Sequence, residues 1–541
     1  MQSFLEEVVS EVCRKQDTLE DTIFVLPSKR AGTFLRNSIA KTAKRTLFSP
    51  EIYSIEAFVE KVSGLNPASH TQQLFELYRV YLDIAAAEKN DFYTFSKWAN
   101  TLLQDFNEID RYLVDSKKLF SNLTDIQEIS HWSPEFEQTR MMEDYLEFWN
   151  TLQPLYNNFN KSLLEQGLGH QGLIYRNAFE NLENYKVASS NKSHVFIGFN
   201  ALNKAETQII QGLLSDDINE IYWDIDNYFL EDPIHDAGFF LRKHLKDWPR
   251  FDDNGPKGIS NYYLNKKNIE VVGLPKNVSQ AKFVGDLLRD TQIHNSDYLK
   301  SAAVVLGDET LLNPVLNSIP ENISAVNITM GYPLGKTSLA DLFIQFINLY
   351  INKEPQGWYH RTILEFLSHP LVQILLDNLD ANNAQNISKK IISENWSFIK
   401  SEYFVRICPN QEEKINLLFS EQVPSPLGFL AKCLQIIEGL RPKLEVREDH
   451  LVLEQLYRFH RLFNQINDLV QTHPFINDLR SLQSLYQQLL AQETLDFQGE
   501  PLEGLQVMGM LESRNLDFET VILTSVNEGI LPSGKSNNSF I

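Results

Sequence analysis

Near the end of this 541-residue chain, two short apolar runs stand one charged turn apart: Leu505-Gln-Val-Met-Gly-Met510 and Val521-Ile-Leu-Thr-Ser-Val526. Each can be one strand, and the second is β-rich and bounded by a turn signal. Asn527-Glu528-Gly529 leaves its end, where open α/β sheets place ligands. Runs of the same kind recur at residues 22–26, 195–199, 221–226, 269–273, 302–306 and 326–330. Helical spacing fills the intervals, so the pattern predicts an α/β fold rather than an all-helical one.

Residues 2–15 read as an amphipathic helix, and the strand at 22–26 runs through a polar loop into another helix. Tyr53-Ser-Ile-Glu56 opens a further helix. A long α-rich region follows: Leu74, Leu77, Tyr78 and Tyr81 have helical spacing, as do Phe95, Trp98, Leu102, Phe106, Ile109 and Leu113. Asp105, Glu108 and Asp110 lie beside that stripe. The helical period assigns them to a solvated face, and no strand precedes them, which argues against a metal cluster. Residues 250–268, rich in Asp, Asn, Gly and Lys, read as a linker, and a helix is expected over about 279–290. Residues 340–498 read as helical again, with Leu453, Leu456, Phe459, Phe463, Ile466 and Val470 on one apolar face.

A length of 541 residues with 43% hydrophobic content allows several domains. The net charge of -22 argues against a generic basic protein that coats DNA, although a local groove can be basic on an acidic body. Cys13, Cys408 and Cys433 form no CxxC pair, which points to reduced thiols in a cytoplasmic protein. No apolar run is long enough for a bilayer, so no membrane partner is expected. There is no HExxH, no GxSxG and no zinc spacing; no metal ligand and no catalytic residue is assigned.

Two segments imitate phosphate loops. Gly529-Ile-Leu-Pro-Ser-Gly534-Lys535-Ser536 matches G-x-x-x-x-G-K-[ST] letter for letter. A phosphate loop also needs a helix whose first amides cradle the phosphate, and Asn537-Asn-Ser-Phe-Ile541 is a poor helix former. Gly331-Tyr-Pro-Leu-Gly335-Lys336-Thr337 has one residue too few between its glycines, and its plain reading is a turn into the following helices.

The 504–532 stretch resembles motif V of superfamily-1 helicases of the UvrD, RecB and AddB group, most of all the AddB-like helicase/nuclease proteins of bacterial recombinational repair. The family's pattern is an apolar strand, a polar segment ending Gly-Leu-Glu-Phe, a second strand, then a Gly and a Pro. Here Asn515-Leu-Asp-Phe518 stands in that place. Arg514 matches the family's Lys and Asp517 its Glu, while Asn527, Glu528 and Gly529 form the exit. Leu511 falls where active helicases carry His. Pro27-Ser-Lys-Arg-Ala-Gly-Thr-Phe-Leu-Arg36 resembles motif Ia, in which Ser28, Lys29, Arg30 and Thr33 would donate to single-strand phosphates, with Arg514 on the other side. The same residues also read as a basic helix start on a solvated surface.

The resemblance implies two RecA-like α/β domains of the P-loop-NTPase type, each with a large helical insertion. Residues 1–70 and 191–265 would form the first and 266–340 with 500–541 an incomplete second. Residues 71–190 and 341–499 would be the insertions. It also implies single-stranded or end-containing double-stranded DNA as ligand, an AddA- or RecB-like helicase subunit as partner, and a role in double-strand-break repair. Motif VI and the PD-(D/E)XK nuclease of such proteins would lie beyond Ile541. Active motors end the 195–199 strand with an Asp-Glu pair that holds Mg²⁺; Gly198-Phe199 cannot. No glycine-rich loop precedes Ser28 either, so the expectation is a helicase-like module without ATPase activity or cofactor. ATP and Mg²⁺, with Gly529, Gly534, Lys535 and Ser536 as nucleotide contacts, belong to the alternative of an active helicase. An α-rich interaction scaffold with no nucleic-acid role is the third reading.

Overall fold

The structure is a computed structural model that describes residues 2–541 except 17, 43–47, 85–89, 132–139, 252–254, 293–297, 324, 378–381, 496–503, 533 and 535–538. The chain divides into two compact units: Met1–Ala85 with Thr101–Met330 and Phe497–Ile541, and Ala86–Asn100 with Gly331–Asp496.

The first unit holds two parallel sheets. Strands β1 (Thr22–Leu26), β2 (Glu51–Ser54), β3 (Ser193–Ile197), β4 (Glu220–Asp226) and β5 (Lys257–Ser260) form one, in the order β2-β1-β3-β4-β5. The register sets Val25 beside Tyr53 and Phe196. β1 is buried throughout because both faces of the sheet are covered, as parallel sheets require. Phe24 and Leu26 face helix α1 (Phe4–Lys15) and helix α2 (Lys29–Thr42), packing with Leu5, Val9, Ala31 and Leu35. Ile23 and Val25 face the other way, into Phe58, Val59, Ile209 and Leu213. Helix α1 begins at a capping box in which Ser3 and Glu6 satisfy each other's backbone N–H, a cap worth about 1 kcal/mol.

The second sheet comprises β6 (Ala302–Leu306), β7 (Val326–Ile328), β8 (Leu505–Gly509) and β9 (Thr520–Thr524), ordered β9-β6-β8-β7 and parallel throughout. The two apolar runs near the chain end are therefore strands that flank β6 on either side.

Three expectations need correction here. The 250–268 stretch is not only a linker: Lys257–Ser260 is the edge strand β5, with Asp226 beside Ser260. Its four residues carry little apolar signal; side chains hold it instead, through a Lys257–Glu220 ion pair at 2.6 Å and the Asp226 carboxylate, which accepts from Ser260 Oγ and the Tyr262 and Tyr263 amides. Conversely, Ile269–Gly273 is not a strand. Among the described residues no edge pairs with it, and Val271 is 92% exposed.

The third correction lies in the helical part of this unit: α3 (Phe92–Arg111), α4 (Ser116–His131), α5 (Arg140–Glu165) and α6 (Gln171–Glu180). The first half of α3 groups with the other unit. Asp105 and Asp110 are not solvated; Asp110 is fully buried. Helices α5 and α6 cover that side of α3, and Asp110 accepts from Arg176 Nε at 2.6 Å, Asn160 Nδ2 at 3.2 Å and the Tyr156 hydroxyl, with His170 Nε2 at 3.2 Å. His170 Nδ1 accepts from the Leu173 amide, so Nε2 carries the proton. Burial pushes the Asp110 carboxyl up, but the hydrogen bonds from His170 and Tyr156 and the Arg176 charge outweigh it and hold the carboxyl below its usual range. A periodicity that marks one buried face cannot reveal a second face buried by partners far away in sequence.

The second unit is mainly helical. Ser338–Ile351, Pro426–Val446, His450–Thr472 and Leu479–Leu490 pack around Phe343, Phe459, Phe463 and Tyr486. Leu456, Phe459, Phe463, Ile466 and Val470 are buried as their spacing predicts, and Leu462 joins them. Within Gly331–Thr337, Tyr332–Pro333 pairs antiparallel with Thr494–Leu495 and Leu334–Lys336 makes a single tight helical turn; Thr337 Oγ1 accepts from the Ala340 amide and donates to Leu334 O, so this hydroxyl caps the helix at 338. Among the described residues of either unit, no helix is long and apolar enough to cross a membrane.

Candidate functional site

In the first unit, the segment after β8 reaches the carboxyl ends of β3 and β4. Asn515 stands at φ 60°, a left-handed conformation that Asn tolerates better than most residues. Its Nδ2 donates to Asp224 Oδ2 at 2.9 Å and to Gly198 O at 3.3 Å. Gly198 is at φ +73°, and a Cβ built there would lie 2.0 Å from Asn515 Nδ2. The missing side chain at Gly198 is thus the space that Asn515 fills. Two residues on, Asp517 Oδ2 accepts from the Phe4 amide at 2.8 Å, a carboxylate at the positive end of α1. Asp224 remains accessible to water although protein surrounds it on most sides. That enclosure raises its carboxyl to about 6, with the nearby Asp517 charge adding and the Asn515 hydrogen bond opposing.

A second contact joins the sheets. Arg30, in the first turn of α2, donates from Nη2 to Gln506 Oε1 at 2.5 Å, and Asn327 Nδ2 donates to the same oxygen at 2.7 Å. Gln506 is a buried polar residue near the start of β8 and Asn327 a buried one in β7. Burial lowers the Arg30 guanidinium to about 10, partly offset by the Glu512 carboxylate. Glu512 Oε2 and Glu309 Oε1 both close over Gly509, where a Cβ would lie 2.5 and 2.8 Å from them.

The sequence-predicted residues therefore separate into two groups. Arg30, Asn515 and Asp517 tie the two sheets together. Lys29, Arg514, Asn527, Glu528, Gly529 and Gly534 are exposed, and Ser28 and Thr33 are partly so. Ser28 Oγ accepts from the Ala31 amide at 3.1 Å and so starts α2. The first turn of α2 carries no acidic residue, which leaves its amide end and Lys29 favourable to an anion. Lys535 and Ser536 lie outside the described residues. Among the described residues no group of three or more His, Cys, Asp or Glu could hold a metal ion. Gln506 and Asn327 were not singled out from the sequence, and Gly198 only as part of the Gly198-Phe199 pair that stands in place of two acids; a glutamine inside an otherwise apolar strand was the available signal for the first. In comparisons with known proteins, no family model and no curated protein matches the sequence.

Proposed function

We propose that this chain is the helicase-like, DNA-binding portion of an AddB-type protein. Its two α/β sheets would belong to two RecA-like domains that hold single-stranded or end-containing DNA during double-strand-break repair beside an AddA- or RecB-like helicase subunit, and hydrolyse no ATP themselves. The observation that supports this most is Asn515 seated over Gly198. A motor of this kind needs an acidic pair at the end of that strand to hold Mg²⁺ and orient water; here the strand ends in glycine and the place above it is filled by an amide. Retention of the motif V-like segment, with Asn515 and Asp517 both engaged, fits a frame kept for binding rather than turnover.

The DNA side of the reading rests on cations free to meet phosphate. Lys29 and Arg514 are exposed, whereas Arg30 is committed to Gln506. The test is single-strand affinity across a salt series for the full chain and for the Lys29→Ala, Arg514→Ala variant. Each phosphate contact contributes about 0.7 to the salt slope on single strands, so losing two should flatten it by about 1.4 at every sequence tested. An unchanged slope and affinity would reject the assignment.

A further inference from the structure

Asp105 is buried on the side of α3 that faces the start of α4, and what it holds there is a short piece of polypeptide. One carboxylate oxygen accepts from Ser539 Oγ at 2.7 Å and the other from the Phe540 amide at 2.8 Å. Ser539 Oγ in turn accepts from the Ile541 amide at 3.1 Å, so the hydroxyl donates and accepts at once and sets the bend. Beside Asp105 runs a groove of about 300 Å³ lined by Glu108, Ile109, Tyr112, Val114 and Leu119, and Ile541 reaches into it. The Phe540 ring stays at the rim, 38% exposed.

We propose that this groove is a docking site for an extended segment of a partner protein with the order hydroxyl residue, aromatic residue, branched aliphatic residue, and that residues 539–541 occupy it in the way such a segment would. The groove reads features that any chain can present. A buried carboxylate takes one hydroxyl and the next main-chain N–H, a charge-assisted pair that is stronger than neutral hydrogen bonds. The apolar slot two residues on takes the aliphatic side chain, the alternation by which grooves select extended peptides. Alanine in the first position supplies neither the donor nor the acceptor, and a phosphoserine sets a dianion against Asp105 and Glu108. The proposal is independent of the DNA-binding reading, because none of its residues belongs to the contacts between the sheets.

The test uses the full chain with Ser539→Ala and Ile541→Gly, which removes the hydroxyl held by Asp105 and the side chain that fills the groove, and a fluorescein-labelled peptide of the sequence 534–541 followed by anisotropy. The emptied chain should bind the peptide saturably below ~1 mM. Asp105→Asn, which preserves shape, should weaken binding at least tenfold. So should alanine or phosphoserine in place of the peptide's serine. The unaltered chain should bind less well than the emptied one, because its own segment competes. Absence of saturable binding, indifference to Asp105→Asn in a chain of native circular dichroism, or equal affinity of the emptied and unaltered chains would each overturn the proposal.

Discussion

Replacing Gly198 by alanine tests the contact between the sheets. The new Cβ would fall 2.0 Å from Asn515 Nδ2 and 2.4 Å from its Cγ, so the Asn515 side chain must leave. A non-glycine residue at this positive φ costs about 1 kcal/mol. The two hydrogen bonds from Asn515 are lost as well, at about 1 kcal/mol each. Gly198→Ala should therefore destabilise the first unit by about 3 kcal/mol, measured by urea unfolding followed by tryptophan fluorescence. Asn515→Gly should cost about 1 kcal/mol, since relief of the left-handed backbone offsets part of the loss. In the double variant there is no side chain left to displace, so the cost should be about 2 kcal/mol rather than the additive 4, a coupling of about 2. Additivity to within about 0.5 kcal/mol would mean that Asn515 does not occupy the Gly198 space in solution.

Asp110→Ala leaves the Arg176 charge and three polar groups without their acceptor inside the helical region, and should cost about 3–5 kcal/mol in thermal or urea unfolding. Because the Asp110 carboxyl is held below its ordinary range, its contribution is present above the unfolded-state pKa and is lost as pH falls through the folded one; the gap between wild type and variant should narrow on acidification. Asp224 has the opposite sign. With its carboxyl raised from 3.8 to about 6, the folded chain keeps a proton that the unfolded chain has released, so stability falls as pH rises through that window. The full shift corresponds to about 3 kcal/mol, and solvent access to this carboxylate reduces it to about 1. Asp224→Asn should be more stable than wild type by that amount near neutral pH and no different near pH 4; a pH-independent difference would refute the assignment.

Most strands were legible because they carry apolar runs: Thr22–Leu26 and Ala302–Leu306 are buried along their whole length, and Thr520–Thr524, at the edge of its sheet, is still apolar from Val521 to Leu523. Two strands escaped for the converse reason. Glu51–Ser54 and Lys257–Ser260 lie at the edges of their sheet, where fewer apolar residues are required. Ile269–Gly273 shows that an apolar run is not sufficient, since a strand needs a neighbour's backbone. At the candidate site, Asn515 and Asp517 stood out by their place in a motif-like order, and the structure pairs Asn515 with the first sheet and Asp517 with the start of α1. Their partners, Gly198, Asp224 and the Phe4 amide, lie hundreds of positions away in sequence, beyond the reach of periodicity or local spacing. Arg30 could be read as a cation, but not as one spent on Gln506, because only the tertiary fold brings α2 against β8.

The central claim is a helicase-like frame that grips single-stranded DNA and does no motor work. It is tested most directly by anisotropy of a labelled single strand titrated with the full chain over a salt series, with and without ATP and Mg²⁺, while phosphate release is followed in the same samples. The account predicts an affinity that falls linearly with log salt, is the same with and without nucleotide, and is accompanied by no DNA-stimulated phosphate release. No binding at low salt, or turnover that rises when the strand is added, would contradict it.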